Sequence, residues 1–437
     1  TVHSHFAKKR ILSPADISQL FQQTSPGTDM QLRDDFVEVR STSDDPYLVA
    51  QEPIIKGGIL IRYGLPLSAA TMLFFLLQQF DLTHFPAFAD IFSKRPSTGE
   101  NIAALDGLRG IAALMVVADH TWGRCTGLGA GGVWLFMSLS GFLLARPFVL
   151  KPERAASLSC WASFFRRRLQ RILPVYYFYL TIIFLLNFQF DAALRHALFL
   201  QGDGHLWVVP QEMFFYLLVP LIMGIHFVLF RGRTWFILFH LTVLILLANR
   251  FLTSEVLALY GMREQPIRPF FGIFLAGCLA SYLYYGLYQS YKIKLSIAWS
   301  QRHENFFSLC GMALLLFFLL CSTKRLWGGQ RVFAQEYFSW FGVAAAGLLF
   351  SILAGKEKSG INRFLSWIPL RAISVVSFSL YIFHPLIING VRQVIMYYTD
   401  GSKLSGVPLF ISTLLLSYIL ACWTYTYIER PFVHKTG

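Results

Sequence analysis

Acidic residues are scarce in this sequence: 24 Asp and Glu stand against 38 Lys and Arg in 437 residues, a formal net charge of +14. Such a balance would suit a nucleic-acid binder. Here, however, Lys and Arg sit mainly in short loops between apolar runs, the positive-inside pattern of membrane proteins, so no nucleic-acid partner is expected. Cysteine is sparse too, with only Cys125, Cys160, Cys278, Cys310, Cys321 and Cys422. None forms a Cys-x-x-Cys pair or shows metal-ligand spacing, so neither a disulfide framework nor a metal site is expected. No cleavable signal peptide is visible, the segment from Thr1 to Pro53 being polar, so insertion is expected to rely on internal helices. No repeat of solenoid type is present.

What the chain has in excess is apolar surface. Hydrophobic residues make up 55% of it, including 42 Phe and 19 Tyr, as lipid-facing surfaces and interfacial belts require. The expected fold class is all-α, a polytopic integral membrane helix bundle, because backbone polar groups in lipid must be satisfied within each helix. Residues 1–56 are expected as a polar tail with a short helix opening near Ser13-Pro14. Residues 57–100 should supply an extra membrane-associated helix, weakened by Arg62 and Pro66, and a linker. Ten core transmembrane helices are expected within 101–432, centred on 103–122, 129–149, 172–190, 207–230, 234–251, 269–288, 306–323, 337–354, 373–395 and 407–428, leaving 433–437 as a tail. Loops 150–171, 231–233, 289–305 and 355–372 hold most of the loop arginine and lysine and are expected in the cytoplasm.

Within the first core run, Arg109 and His120 are separated by ten residues. Eleven helical positions bring a residue to about 20° past three turns and about 16 Å along the axis, so the two share a face. An arginine inside an apolar helix costs about 2.5–3.5 kcal/mol and is kept when it faces protein, water or a ligand. A fixed cation and a titratable imidazole on one face suggest a polar path through the membrane. Asp106 lies three residues before Arg109 and can pair with it on the helix surface.

The segment Leu105-Asp106-Gly107-Leu108-Arg109-Gly110-Ile111-Ala112-Ala113-Leu114, with His120 and the following Gly131-Gly132-Val133-Trp134 to Ser140-Gly141-Phe142, resembles the membrane acyltransferase family 3. The resemblance continues in order through Phe165-Arg166-Arg167-Arg168-Leu169-Gln170-Arg171, Leu206-Trp207 to Glu212 with Phe215-Tyr216, Ser379-Leu380-Tyr381-Ile382-Phe383-His384-Pro385, and Ile428-Glu429-Arg430-Pro431-Phe432, covering about 102–432. It implies transfer of an acyl group, most often acetyl from acetyl-CoA, to a hydroxyl of a glycan or glycolipid, with Arg109 and His120 as the essential pair. A multi-pass protein of a bacterial inner or plasma membrane is expected, rather than one of a eukaryotic organelle. Trp134 stands where many members carry an acidic residue, and Pro210-Gln211 precede Glu212 where Ser or an acid is common; both bear on the acceptor.

Chemistry assigns roles to these candidates. A sugar hydroxyl is a poor nucleophile, so His120 is expected as general base. Arg109 is expected to hold the donor or the developing oxyanion, and Glu212 to orient His120 or bind the acceptor. Arg166, Arg167, Arg168 and Arg171 are expected to dock the CoA phosphates, with topology and anionic-lipid contact as the plainer account. Asp106, Ser140, Trp207, Tyr216, Tyr381 and His384 are candidate substrate contacts; Ser140 with Gly141 also suits close helix packing, and His384 also suits a carbonyl freed by Pro385. The competing readings are a transporter or channel, a non-catalytic membrane scaffold, and an acyltransferase acting on a lipid or small-molecule hydroxyl.

Overall fold

The computed structural model describes residues 29–33, 36–40, 102–121, 127–251, 270–295, 297–322, 338–398 and 406–433. The expected helices near Ser13 and within 57–80 lie outside them. The chain divides into two compact units, 1–59 and 60–437. In the first, Asp29–Arg33 (β1) and Phe36–Arg40 (β2) form an antiparallel hairpin with Met30 opposite Val39 and Leu32 opposite Val37. The hairpin lies in the segment expected as a polar tail, where no strand was expected, and leaves the all-α reading of the membrane bundle in place. The segment alternates apolar and polar residues with period two, which a strand requires, around a two-residue connection.

Among the described residues the second unit is helical. Its helices are Ala103–Thr121 (α1), Leu128–Leu150 (α2), Leu158–Leu180 (α3), Phe190–Ala197 (α4), Val208–Val228 (α5), Thr234–Phe251 (α6), Phe271–Ser281 (α7), Ile297–Cys321 (α8), Phe338–Ala354 (α9), Gly360–Leu365 (α10), Ile368–Val375 (α11), Ser377–Tyr398 (α12) and Val407–Thr424 (α13). Each of the ten expected runs contains a helix. Among the described residues five spans are long and apolar enough to cross a membrane, namely Leu128–Leu150, Gly204–Val228, Phe271–Lys292, Trp299–Cys321 and Val407–Phe432, or six if Ile368–Val375 and Ser377–Ile395, bent by 78°, count as one span. Thr234–Asn249 and Ser339–Ala354 are apolar but shorter. Their outward faces are greasy: Leu217 and Leu221, one turn apart on α5, are 64% and 62% exposed, as a lipid-facing stripe should be.

One boundary differs from expectation. The basic stretch read as loop 150–171 is a short 3-10 turn, Pro152–Ala156, followed by α3. Ser157 caps α3 by accepting from the Cys160 amide at 3.3 Å, and arginine is a good helix former. The arginine run is therefore displayed on a helix.

The core is built around α1 and α2. The motif glycines explain how tightly α1 is embraced: a Cβ at Gly107 or Gly110 would fall on the backbone carbonyls of Leu365 or Leu370. Those carbonyls end α10 and begin α11, so Leu-Asp-Gly-Leu-Arg-Gly is partly a packing signature. Gly141 and Gly277 do the same where α2 crosses α7, against the Phe274 and Ser138 carbonyls. The C-terminal Glu429, 3% exposed, accepts a short hydrogen bond from Ser379 and so ties the end of the last helix to the start of α12.

Candidate active site

Arg109 on α1 opens into a cavity of about 90 Å³ with Ser140 from α2, Arg168 and Arg171 from α3, Glu212 and Tyr216 from α5, and Tyr381 from α12. Residues 168 and 171 fall on one face of α3 because they are three apart. Arg166 and Arg167 point elsewhere and are exposed, with Arg167 donating to Ser163 at 2.6 Å. The expected four-arginine cluster is thus divided into an inward pair and an outward pair. The Tyr216 hydroxyl donates to Glu212 Oε2 at 3.0 Å and is also hydrogen-bonded by Ser140. Arg109, Arg168 and Arg171 all lie within electrostatic reach of the Glu212 carboxylate.

A second, larger cavity of about 370 Å³ adjoins the first, sharing Arg109, Leu143, Arg168 and Arg171. Its polar wall adds Arg146 from the end of α2, Arg154 from the 3-10 turn, and Asp106. Five arginines face one carboxylate there. Asp106 approaches Arg371 Nε of α11 at 3.9 Å, so the acid reaches across to a neighbouring helix. Arg146 also lies over the Tyr285 ring, 5.4 Å from its centre. Neither Arg146 nor Arg371 was singled out from sequence, because a lone arginine at the end of an apolar run reads as an interfacial anchor.

His120 does not line either cavity; it stands at the other end of α1. His384 Nε2 lies 3.2 Å from His120 Nδ1, and the rings are 4.9 Å apart. His384 is fully buried, and its Nδ1 lies 2.7 Å from the Tyr381 carbonyl oxygen. A third histidine, His205, joins them from the turn before α5: its ring centre is 5.7 Å from that of His384 and its Nε2 is 2.9 Å from the Ile382 oxygen. The Tyr381 hydroxyl donates to the His205 carbonyl at 2.5 Å. Tyr381 therefore connects two centres: its side chain faces the arginine cavity and its main chain holds the histidine cluster. Sequence reasoning missed His205, which meets α12 across 177 residues of chain.

Trp207 lies apart from the cavity lining, packed edge-on against Trp134 with 6.1 Å between ring centres and beside Phe270 at 5.5 Å. Among the described residues no group of three or more His, Cys, Asp or Glu is placed to hold a metal ion. What the arrangement offers chemically is an anion site at one end of α1 and an imidazole base at the other.

The model of an acyltransferase domain matches residues 102–426. The chain is 24% identical over 371 residues to the O-acetyltransferase OatA of Staphylococcus aureus (strain NCTC 8325), covering 77% of this chain and 58% of OatA. It is 24% identical over 373 residues to a Bacillus subtilis (strain 168) protein named "Putative peptidoglycan O-acetyltransferase YrhL", covering 76% and 54%. The chain thus spans a little over half the length of these curated relatives. No solved structure matches it. With the family's domain model running from the start of α1 to the π-helical turn that follows α13, and the arginine and histidine motifs gathered around α1, the chain belongs to acyltransferase family 3.

Proposed function

We propose that this chain is a multi-pass O-acyltransferase of a bacterial membrane that carries an acetyl group from acetyl-CoA to a hydroxyl of a glycan or glycolipid. The observation that carries the reading is the pair of adjoining arginine-walled cavities at one end of α1, joined by Tyr381 to the histidine cluster that holds His120. Five arginines against one carboxylate suit a multiply charged anion. CoA carries its phosphates at one end and its thioester at the other. Phosphates held by Arg146, Arg154, Arg168 and Arg171 would aim the pantetheine arm inward along α1, the rise of about 16 Å toward His120.

At His120 the imidazole removes the acceptor hydroxyl proton as that oxygen attacks the thioester carbonyl carbon. The C–O bond forms, the C–S bond breaks, and the departing CoA thiolate takes up a proton. Arg109, shared by both cavities, holds the donor and offsets its negative charge. Glu212 offsets the inner arginines and orients Tyr216, and Ser140, Tyr216 and Tyr381 shape the chamber for the acyl arm. Asp106 lines the larger cavity and lies 3.9 Å from Arg371 Nε, where its carboxylate offsets part of the positive charge. Relatives named as O-acetyltransferases, one of them for peptidoglycan, favour a glycan acceptor.

The test uses protein purified into liposomes, given acetyl-CoA labelled in the acetyl group and, separately, peptidoglycan fragments, a glycolipid and a simple lipid alcohol. Labelled acetyl ester on a glycan is expected. His120→Ala should lower its rate by at least about 10²-fold with unchanged gel-filtration behaviour. Full activity in that variant defeats the role given to His120. Solute flux without ester formation would move the protein to the transporter class.

A further inference from the structure

We propose that His384 is a positioning residue that locks His120 in the tautomer with hydrogen on Nδ1, leaving the Nε2 lone pair bare toward the acceptor; this rests on the acyltransferase reading above. The chain of causes starts at Pro385. Proline has no amide hydrogen, so the helical bond that residue 385 would donate to the Tyr381 carbonyl is missing. The His384 ring fills the vacancy, with Nδ1 2.7 Å from that oxygen. A carbonyl only accepts, so the His384 hydrogen sits on Nδ1 and its Nε2 carries a lone pair.

That lone pair lies 3.2 Å from His120 Nδ1, and the Val116 carbonyl lies 2.8 Å from the same atom. His120 Nδ1 therefore faces two acceptors. With hydrogen there, it donates to both in a shared bond. With hydrogen on Nε2 instead, three lone pairs would confront one another in a partly buried site, which costs an unsatisfied acceptor or more. The environment selects the first form, and the base is Nε2. A carboxylate does this for a catalytic histidine in many hydrolytic triads; here a neutral imidazole does it without placing a second full charge in the membrane, where charges are expensive.

His384 cannot turn away to serve a substrate. It is fully buried, its two nitrogens are engaged, and the His205 ring closes its edge while His205 is itself fastened to Ile382 and Tyr381. The same contacts shift His384 from a candidate substrate contact to a support of the base.

Two variants and one spectrum test the assignment. Glutamine places an amide oxygen near the position of the imidazole Nε2 and can accept from His120; phenylalanine keeps the volume but accepts nothing. His384→Gln should hold kcat within about threefold of wild type. His384→Phe should lower kcat by about tenfold to a hundredfold with KM for acetyl-CoA within about twofold. Nitrogen-15 spectra of histidine-labelled protein in liposomes, with His120 assigned by its loss in His120→Ala, should show a protonated Nδ1 and a bare Nε2, and a mixture of tautomers in His384→Phe. Wild-type kcat in His384→Phe, or hydrogen on Nε2 of His120 in the wild type, overturns the proposal. If wild type transfers no acetyl group, the acyltransferase reading fails, and the spectrum alone still decides the tautomer.

Discussion

At the scale of the residue, the arginines differ in what they can do although the sequence sets them side by side. Arg168 and Arg171 face the cavity, whereas Arg166 and Arg167 face outward on the same helix. A guanidinium bonding a phosphate contributes about 1.5–3 kcal/mol, so Arg168→Ala or Arg171→Ala should raise KM for acetyl-CoA by about tenfold to a hundredfold. Arg166→Ala and Arg167→Ala should leave it within about twofold, as ordinary surface changes do. Lysine at 168 or 171 should restore only part of the loss, because an ammonium is a point charge and cannot form the two-pronged contact. Steady-state kinetics with acetyl-CoA as the varied substrate reads all six variants. Equal effects from the outward pair would mean that the donor docks on the outer surface of α3.

At the scale of the element, the glycines of the first motif set how closely helices meet. Gly110 lies where the Leu370 carbonyl occupies the space of a side chain. Gly110→Val should therefore push α11 away from α1 and cost about 1–3 kcal/mol or more in overpacking. Thermal unfolding in detergent measures this as a lowered midpoint, and an unchanged midpoint would show that α11 moves aside freely. Much at this scale was legible in the sequence: long apolar runs mark where helices lie, and the spacing of Arg109 and His120 places both on one helix. What was not legible has physical causes. The start of α3 was hidden because a dense arginine run between apolar stretches reads first as a loop charge signal, although arginine favours helix, and its cap, Ser157, is a single residue. The hairpin at 29–40 carried its signal in plain alternation but inside a segment read as polar tail. His205 and Arg371 act through partners far away in sequence, His205 on Ile382 and Arg371 on Asp106, and no local pattern announces such meetings.

At the scale of the whole molecule, the site has a direction, and that direction must agree with the bilayer. The arginine cavities open beside Arg154 and the basic run of α3 that holds Arg168 and Arg171. His205 and the His120 end of α1 lie at the opposite ends of those helices, beside segments poorer in Lys and Arg. Basic segments are retained in the cytoplasm, where acetyl-CoA is made, and the imidazole end then faces the side on which surface glycans lie. The proposed donor, if taken from the cytoplasm, requires the same orientation that the charge bias selects. In a background where the six native cysteines are replaced, a cysteine introduced at Glu153 should react with a membrane-impermeant maleimide only in inside-out vesicles. One introduced at Gly204 should react in intact cells. The reverse pattern would place the arginine cavities outside, away from cytoplasmic CoA, and the donor assignment would fall while the pairing of His120 with His384 stood unaffected.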